Sequence, residues 1–339
     1  MGLGAGCVRQ TARRSRPPRR TQLGNDLPTV ADIEISVDDI DLERAKEMFD
    51  EHGCLVVRGL MRQYVDAINR DINEAADRAL SMLDRAEKIV EGWRTPDGTL
   101  FIPAPEGYHR DKQIMVLSIG YNTSGAFLQS ALDENALDIV SAILGPNVEM
   151  FGGGQCLVKE PVGGHPKHLH QDAAYFEHRY YGPVAILNYT VDTDLENGAL
   201  HVVPGSHKLG QLQHVDTFSR LGLDDGEWPW ERALPVCGEA GDGIFFHYRT
   251  IHGSKQNHSD ARRPVFINRY RSVADYTIVS GTTTANRAEA EKRAAEKAAA
   301  KKAAEEKRAA EKAAAKKAAE EKRAAERAAA TERAAEKRA

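Results

Sequence analysis

His170-Gln171-Asp172, answered eighty residues later by His252 and then by Arg263, has the residue types of a non-haem iron site. Two imidazoles and one carboxylate take one face of Fe(II) and leave the other face open to oxygen and a co-substrate. The single intervening residue suits a strand, where positions i and i+2 share a face. His170 and Asp172 would then reach one metal while Gln171 points away. The third ligand must come from another strand, and His252-Gly253-Ser254 offers one. Arg263 follows eleven residues after His252 on an apolar-flanked run. A planar two-pronged cation there matches the far carboxylate of a dicarboxylic acid such as 2-oxoglutarate. Alone, a His-x-Asp among twelve histidines is a weak signal, and its plainest reading is two polar residues in a surface loop.

The elements that must position these residues run helices first and strands later. Leu42, Ala45, Met48, Phe49 and His52 share a helical face closed by Gly53. Val65, Ile68, Ile72, Ala75, Ala79, Met82 and Leu83 mark a longer helix, and a third is expected near 126–144, stopped by Gly145-Pro146. Strand-like runs lie at 54–58, 114–119, 148–151, 155–159, 184–191, 199–203, 243–247 and 265–271. Many short strands with Gly/Pro turns after a helical start predict a mainly β protein, a jelly-roll barrel with flanking helices. Residues 208–232 interrupt this rhythm with Trp228-Pro229-Trp230 and an acidic cluster. They read equally as a lid over the site or as a loop whose tryptophans plug a satellite core. Tyr175, Phe176, Tyr180 and Tyr181 are placed to line a substrate pocket.

Further motifs stand in order around the histidines. Glu196-Asn197-Gly198-Ala199-Leu200 runs into Val202-Val203-Pro204-Gly205-Ser206-His207, and Gly241-Asp242-Gly243 leads towards His252-Gly253-Ser254 and Arg263. Over about 150–271 this order closely resembles the phytanoyl-CoA dioxygenase family of Fe(II)/2-oxoglutarate oxygenases. Upstream, 49–60 looks like the family's opening helix and strand, so the resemblance covers most of 28–280. It implies a double-stranded β-helix with iron at the open end of the barrel. His170, Asp172 and His252 become the iron ligands, Arg263 the anchor of the 2-oxoglutarate side carboxylate, and Ser254 its helper. Arg262, adjacent on the strand, would face the other way. The resemblance further implies O₂ as oxidant, ascorbate as auxiliary reductant, and C–H hydroxylation of a small organic substrate with release of succinate and CO₂. Asp172 fills the place that a halide takes in related halogenases, which argues against halogenation.

Two rival readings are a catalytically inactive jelly-roll scaffold acting through its tail and a metal enzyme that does not use 2-oxoglutarate. The complete ligand set speaks against the first, Arg263 and Ser254 against the second. Among the other histidines, His168 could share the face of His170, although the resemblance puts the ligand immediately before Gln-Asp. His207 serves a Pro-Gly turn, and His201, His214, His247 and His258 read as structural or solvated.

Charge divides the chain into three expected parts. Residues 1–27 carry net +5 and read as a disordered basic leader; 28–284 carry net −15 and hold the catalytic domain; 285–339 carry net +6. An acidic body makes a poor nucleic-acid binder, and weakly disfavours a highly anionic substrate unless local pocket charge overrides it. Four scattered cysteines without a C-x-x-C pair suit a reducing compartment. No stretch approaches the ~18 apolar residues of a membrane span. A cytoplasmic protein is therefore expected, with an organellar transit peptide as the alternative use of the leader. The tail repeats AAEKAAAKKAAEEKR at 294–308 and 309–323. Alanine favours helix but buries little, so the tail is expected to be a solvated, partly frayed helical spacer with an unidentified partner and no part in the chemistry. Truncation at 284 is accordingly expected to leave turnover and melting temperature nearly unchanged; a large fall in either would mean that the tail packs on the body.

Overall fold

A computed structural model of the chain describes residues 28–278 apart from positions 91 and 218. The basic leader, the Ala/Glu/Lys repeat and its expected helix lie outside the described residues.

The apolar runs that predicted strands are continuous because both faces are buried. Cys54, Val56, Ala185, Leu187, Tyr189, Ile244, Phe246, Val265 and Ile267 point into one core cluster, where they meet Leu200, Val202 and Val236. Their neighbours Leu55, Val57, Val184, Ile186, Phe245 and Phe266 point into a second cluster formed with the helices. The period of two thus sorts each strand between a helical layer and a facing sheet.

The larger sheet has eleven strands. At its centre Cys54–Arg58, Gly243–His247, Val184–Tyr189, Arg263–Ser272 and Gln155–Lys159 lie side by side, all antiparallel. The edge strand Glu34–Ser36 runs parallel to Cys54–Arg58, which makes the sheet mixed. The facing sheet has four strands in the order Leu234–Val236, Leu200–Val203, Ile251–Ser254, Lys167–His170. Among the described residues no helix is long and apolar enough to cross a membrane.

Helices cover the outer face of the large sheet. Asp41 caps Leu42–His52 by accepting from the backbone N–H of Glu43 and Arg44, and Gly53 ends it at φ 66°. The left-handed backbone favours glycine there, and a Cβ would also stand 2.2 Å from His207 Nδ1. Val65–Ser81 buries Ile68, Ile72, Ala75, Ala76 and Ala79. The single helix expected near 126–144 is two, Gly125–Ala131 and Glu134–Leu144. Asp133 causes the break: its carboxylate accepts from Ala136 N–H at 3.0 Å as an N-cap and is held from outside by Gln63 and Tyr64.

Asp242 of the Gly-Asp motif has a structural use. It accepts from Arg58 Nη1 at 2.7 Å, Gly59 N–H at 2.8 Å and Glu239 N–H at 3.0 Å, tying the end of the Cys54–Arg58 strand to the turn before Gly243–His247. Asp242→Asn is expected to lose about 2–3 kcal/mol in chemical denaturation, since an amide keeps the volume but not the charge-assisted bonds. A loss below about 0.5 kcal/mol, the scale of ordinary surface substitutions, would remove this role.

Candidate metal centre

His170 is the last residue of Lys167–His170, and His252 lies opposite it on Ile251–Ser254; the two are register partners. Their ring centroids are 4.3 Å apart. Gly253 permits this approach, because a Cβ there would meet Lys167 O at 2.7 Å and Leu169 N at 3.0 Å on the neighbouring strand. Ser206 Oγ accepts from Ile251 N–H at 2.8 Å and so fixes the start of the His252 strand.

Asp172 is not on the strand with His170. The strand stops at His170, and Asp172 opens a 3₁₀ turn, Asp172–Ala174. Gln171 still points away, but because its side chain is tied elsewhere rather than by pleating. Its amide donates to Gly210 O and Arg249 O, and its carbonyl accepts from Leu212 N–H. This anchoring of Gln171 turns the chain so that Asp172 Oδ1 stands 3.6 Å from His170 Nε2 and 3.8 Å from His252 Nε2. One ligand atom from each of the three lies within 4.8 Å of the others, all on buried residues.

The protonation pattern suits a metal. His170 Nδ1 faces His168 O and His252 Nδ1 faces Thr250 O, each at 2.9 Å. Each Nδ1–H is thereby committed to a carbonyl, and each Nε2 lone pair is directed at Asp172. Burial lowers the His170 pKa to about 3 and lowers that of His252. For Asp172 burial acts upwards, but His170, His252 and Arg269 together outweigh it and hold the carboxyl below its usual range. The outer oxygen Oδ2 faces Arg269 Nε at 3.8 Å, and Arg269 is steadied by Gln155 at 2.9 Å. Two neutral imidazoles and one ionised carboxylate form the nitrogen/oxygen donor set that a divalent iron accepts.

The triad opens into a cavity of about 390 Å³ between the two sheets. Arg263, Val265, Ile267 and Arg269 alternate along one strand and all line it. Arg263 is 4 % exposed. It donates to Asn197 O and Gly198 O, which is the use of the Glu-Asn-Gly motif. Its register partner is Lys159, equally buried and bonded to His165 O. Burial lowers Arg263 to about 10 and lowers Lys159 well below its usual value, Arg263 adding to the latter. Two adjacent buried cations whose hydrogen bonds go to neutral carbonyls suit a dianionic ligand. Ser254 lines the same cavity.

Arg262 turns the other way, as expected, to Glu160 Oε1 at 3.5 Å. His168 pairs with Ser219 Oγ at 2.8 Å and does not join the triad. Tyr175 and Phe176 line the cavity, whereas Tyr180 and Tyr181 are 60 % and 39 % exposed. Trp228 and Trp230 pack on Leu169, Val203, Leu223, Ala233 and Ile251, the satellite-core reading of that segment. The same segment also holds a hairpin, Val215–Thr217 with Arg220–Gly222, that brings Ser219 and Arg220 to the cavity.

Three residues escaped the sequence reading. Arg269 was accessible from even spacing to Arg263 on one strand. Lys159 and Arg220 carried no signal, because strand pairing and a hairpin bring them in.

Comparison with known proteins points to one family. A family model described as phytanoyl-CoA dioxygenase (PhyH) matches residues 49–265. The mouse peroxisomal phytanoyl-CoA dioxygenase is 32 % identical over 74 % of this chain and 75 % of its own length. A probable alpha-ketoglutarate-dependent hypophosphite dioxygenase from Stutzerimonas stutzeri is 31 % identical over 43 % of this chain, a match spanning about half (53 %) of that relative. In fold, the chain is similar to the non-heme alpha ketoglutarate dependent carbocyclase SnoK from nogalamycin biosynthesis. The TM-score is 0.53 at 19 % identity, covering 74 % of this chain and 89 % of that one. With the model spanning most of the described residues, the chain belongs to the phytanoyl-CoA dioxygenase family and is an oxygenase of the iron- and 2-oxoglutarate-dependent class.

Proposed function

We propose that this protein hydroxylates a C–H bond of a small organic substrate, with Fe(II) held by His170, Asp172 and His252 on a double-stranded β-helix. The observation that carries the reading is the meeting of that triad with the buried Arg263–Lys159 pair in one cavity. When bound, iron and 2-oxoglutarate together supply dioxygen activation, with succinate and CO₂ as co-products.

The chain's own residues bind, orient and exclude water. Arg263 receives the distal carboxylate of 2-oxoglutarate, its guanidinium aimed by the carbonyls of Asn197 and Gly198. Lys159 shares that charge. Arg269 keeps Asp172 ionised and its inner oxygen turned to the two imidazoles. Leu157, Leu187, Leu200, Phe246, Val265 and Ile267 add apolar wall between these groups, which strengthens each of these electrostatic contacts.

The test is turnover under ¹⁸O₂ across a panel of candidate substrates with Fe(II), 2-oxoglutarate and ascorbate. One product oxygen from O₂ and one succinate per product are expected. Oxygen consumption without succinate would contradict the role of 2-oxoglutarate, and succinate coupled to a product lacking the new oxygen would contradict hydroxylation.

A further inference from the structure

Lys159 and Arg263 are register partners on adjacent antiparallel strands. Opposed residues put their side chains on one face of the sheet, with Cα atoms roughly 5 Å apart, and like charges so placed repel. Both side chains line the cavity and are nearly sealed from water, at 6 % and 4 % exposure. Lys159 Nζ donates to His165 O, and Arg263 to Asn197 O and Gly198 O. These acceptors are carbonyls and bring no charge to balance a cation.

The titratable groups around the pair bring none either. His165 lies on the same wall, and burial, then Lys159, lower its imidazole to about 4, so it is neutral. Burial likewise lowers His201 on the facing sheet. Tyr189, within electrostatic reach of Arg263, is pushed up to about 12 by burial and keeps its proton. Lys167, near enough to act on His165, adds only positive charge. Glu160, next in the chain, turns to the other face of its strand and serves Tyr108, Arg110 and Arg262. Asp172, the carboxylate of the cavity wall, is engaged with His170, His252 and Arg269.

Two buried like charges without a counter-ion are relieved by the loss of one proton. An arginine holds its proton, whereas a buried lysine releases one readily. Burial and the opposed Arg263 both act on Lys159 in that direction. A neutral amine still donates to His165 O, so the hydrogen bond survives. A dianion seated on Arg263 reverses the balance, because its carboxylate favours the ammonium form opposite.

We propose that Lys159 is an uncharged amine before 2-oxoglutarate arrives and takes up one proton as the co-substrate binds. This rests on the assignment of Arg263 and Lys159 to 2-oxoglutarate. The proton passes from solvent to Nζ, and no other bond changes. Linkage fixes the sign: a site that gains a proton with its ligand loses affinity as pH rises, by up to about tenfold per pH unit. The fall is confined to the window between the pKa of the free lysine and that of the loaded one. Below the window the amine is already charged, and affinity is flat.

The experiment titrates 2-oxoglutarate calorimetrically into the Mn(II)-loaded full chain without oxygen, from about pH 6 to about pH 9. Each titration is run in two buffers of different ionisation enthalpy, and the difference in heat counts the protons exchanged. The wild type is expected to take up close to one proton per 2-oxoglutarate within this range, with affinity falling as pH rises. Lys159→Met fills the same space without a charge and should take up almost none, with affinity nearly independent of pH. Normal binding by the wild type without proton uptake would overturn the proposal and leave the co-substrate assignment standing. Uptake unchanged in Lys159→Met would put the proton on another group and overturn it as well. If that variant does not fold, the uptake and pH slope of the wild type decide. A wild type that does not bind 2-oxoglutarate, or whose binding is unaffected by Arg263→Ala, would overturn the underlying assignment and this inference with it.

Discussion

Replacing His170, Asp172 or His252 by alanine is expected to abolish turnover and Fe(II) retention while far-UV dichroism stays as in the wild type. Each side chain supplies one of three donors that converge within 4.8 Å. Loss of an outer partner of a metal ligand costs roughly 10–100-fold in affinity or activity, and loss of the ligand itself must cost more. The fold should survive because the two strands bearing the histidines are held independently. Ser206 bonds Ile251, and Gln171 ties the Asp172 turn to two other segments. Metal content after dialysis and succinate yield check the prediction. If His168→Ala lost iron and His170→Ala kept it, the ligand assignment would be wrong.

The second large effect belongs to Arg263. A charge-assisted, two-pronged contact in a desolvated pocket contributes roughly 2–4 kcal/mol, or about thirty- to a thousand-fold in affinity. Arg263→Ala should raise the KM for 2-oxoglutarate by that factor and leave Fe(II) affinity little changed. Arg263→Lys should recover part of the loss, since an ammonium cannot make the forked contact. Arg262→Ala should not move this KM, because its guanidinium serves Glu160 rather than the cavity. Its effect falls instead on stability, where Glu160 keeps Arg110 at 3.2 Å as its remaining ion partner. Co-substrate titration of the three variants decides between the neighbours.

The sequence disclosed the triad through residue types and motif order, and the geometry it suggested was half right. Strand pairing does bring His252 to His170 from a different strand, as expected of the third ligand. The Asp172 carboxylate, however, arrives by a 3₁₀ turn, because Gln171 finds hydrogen-bond partners from Gly210, Leu212 and Arg249 that no local pattern announces. Apolar runs located the central strands since both their faces are buried. Short polar strands such as Lys167–His170 and Ile251–Ser254 carried no such run, being half occupied by site residues. The break at Asp133 was hidden for a similar reason: the apolar face of the helix pair continues across it while a single cap divides the backbone. Glu-Asn-Gly and Gly-Asp were recognisable as motifs. Their uses, aiming Arg263 and knotting Arg58, are tertiary contacts over 65 and 184 residues of sequence.

One cavity is proposed to bind the metal and 2-oxoglutarate together, through the triad and Arg263. The direct measurement is calorimetric titration of 2-oxoglutarate into the metal-free and the Mn(II)-loaded protein in the absence of oxygen, for the wild type and Asp172→Ala. At least about tenfold tighter binding is expected when the metal is present, a coupling that disappears in Asp172→Ala. Equal affinity with and without metal in the wild type, or full coupling retained without Asp172, would contradict it.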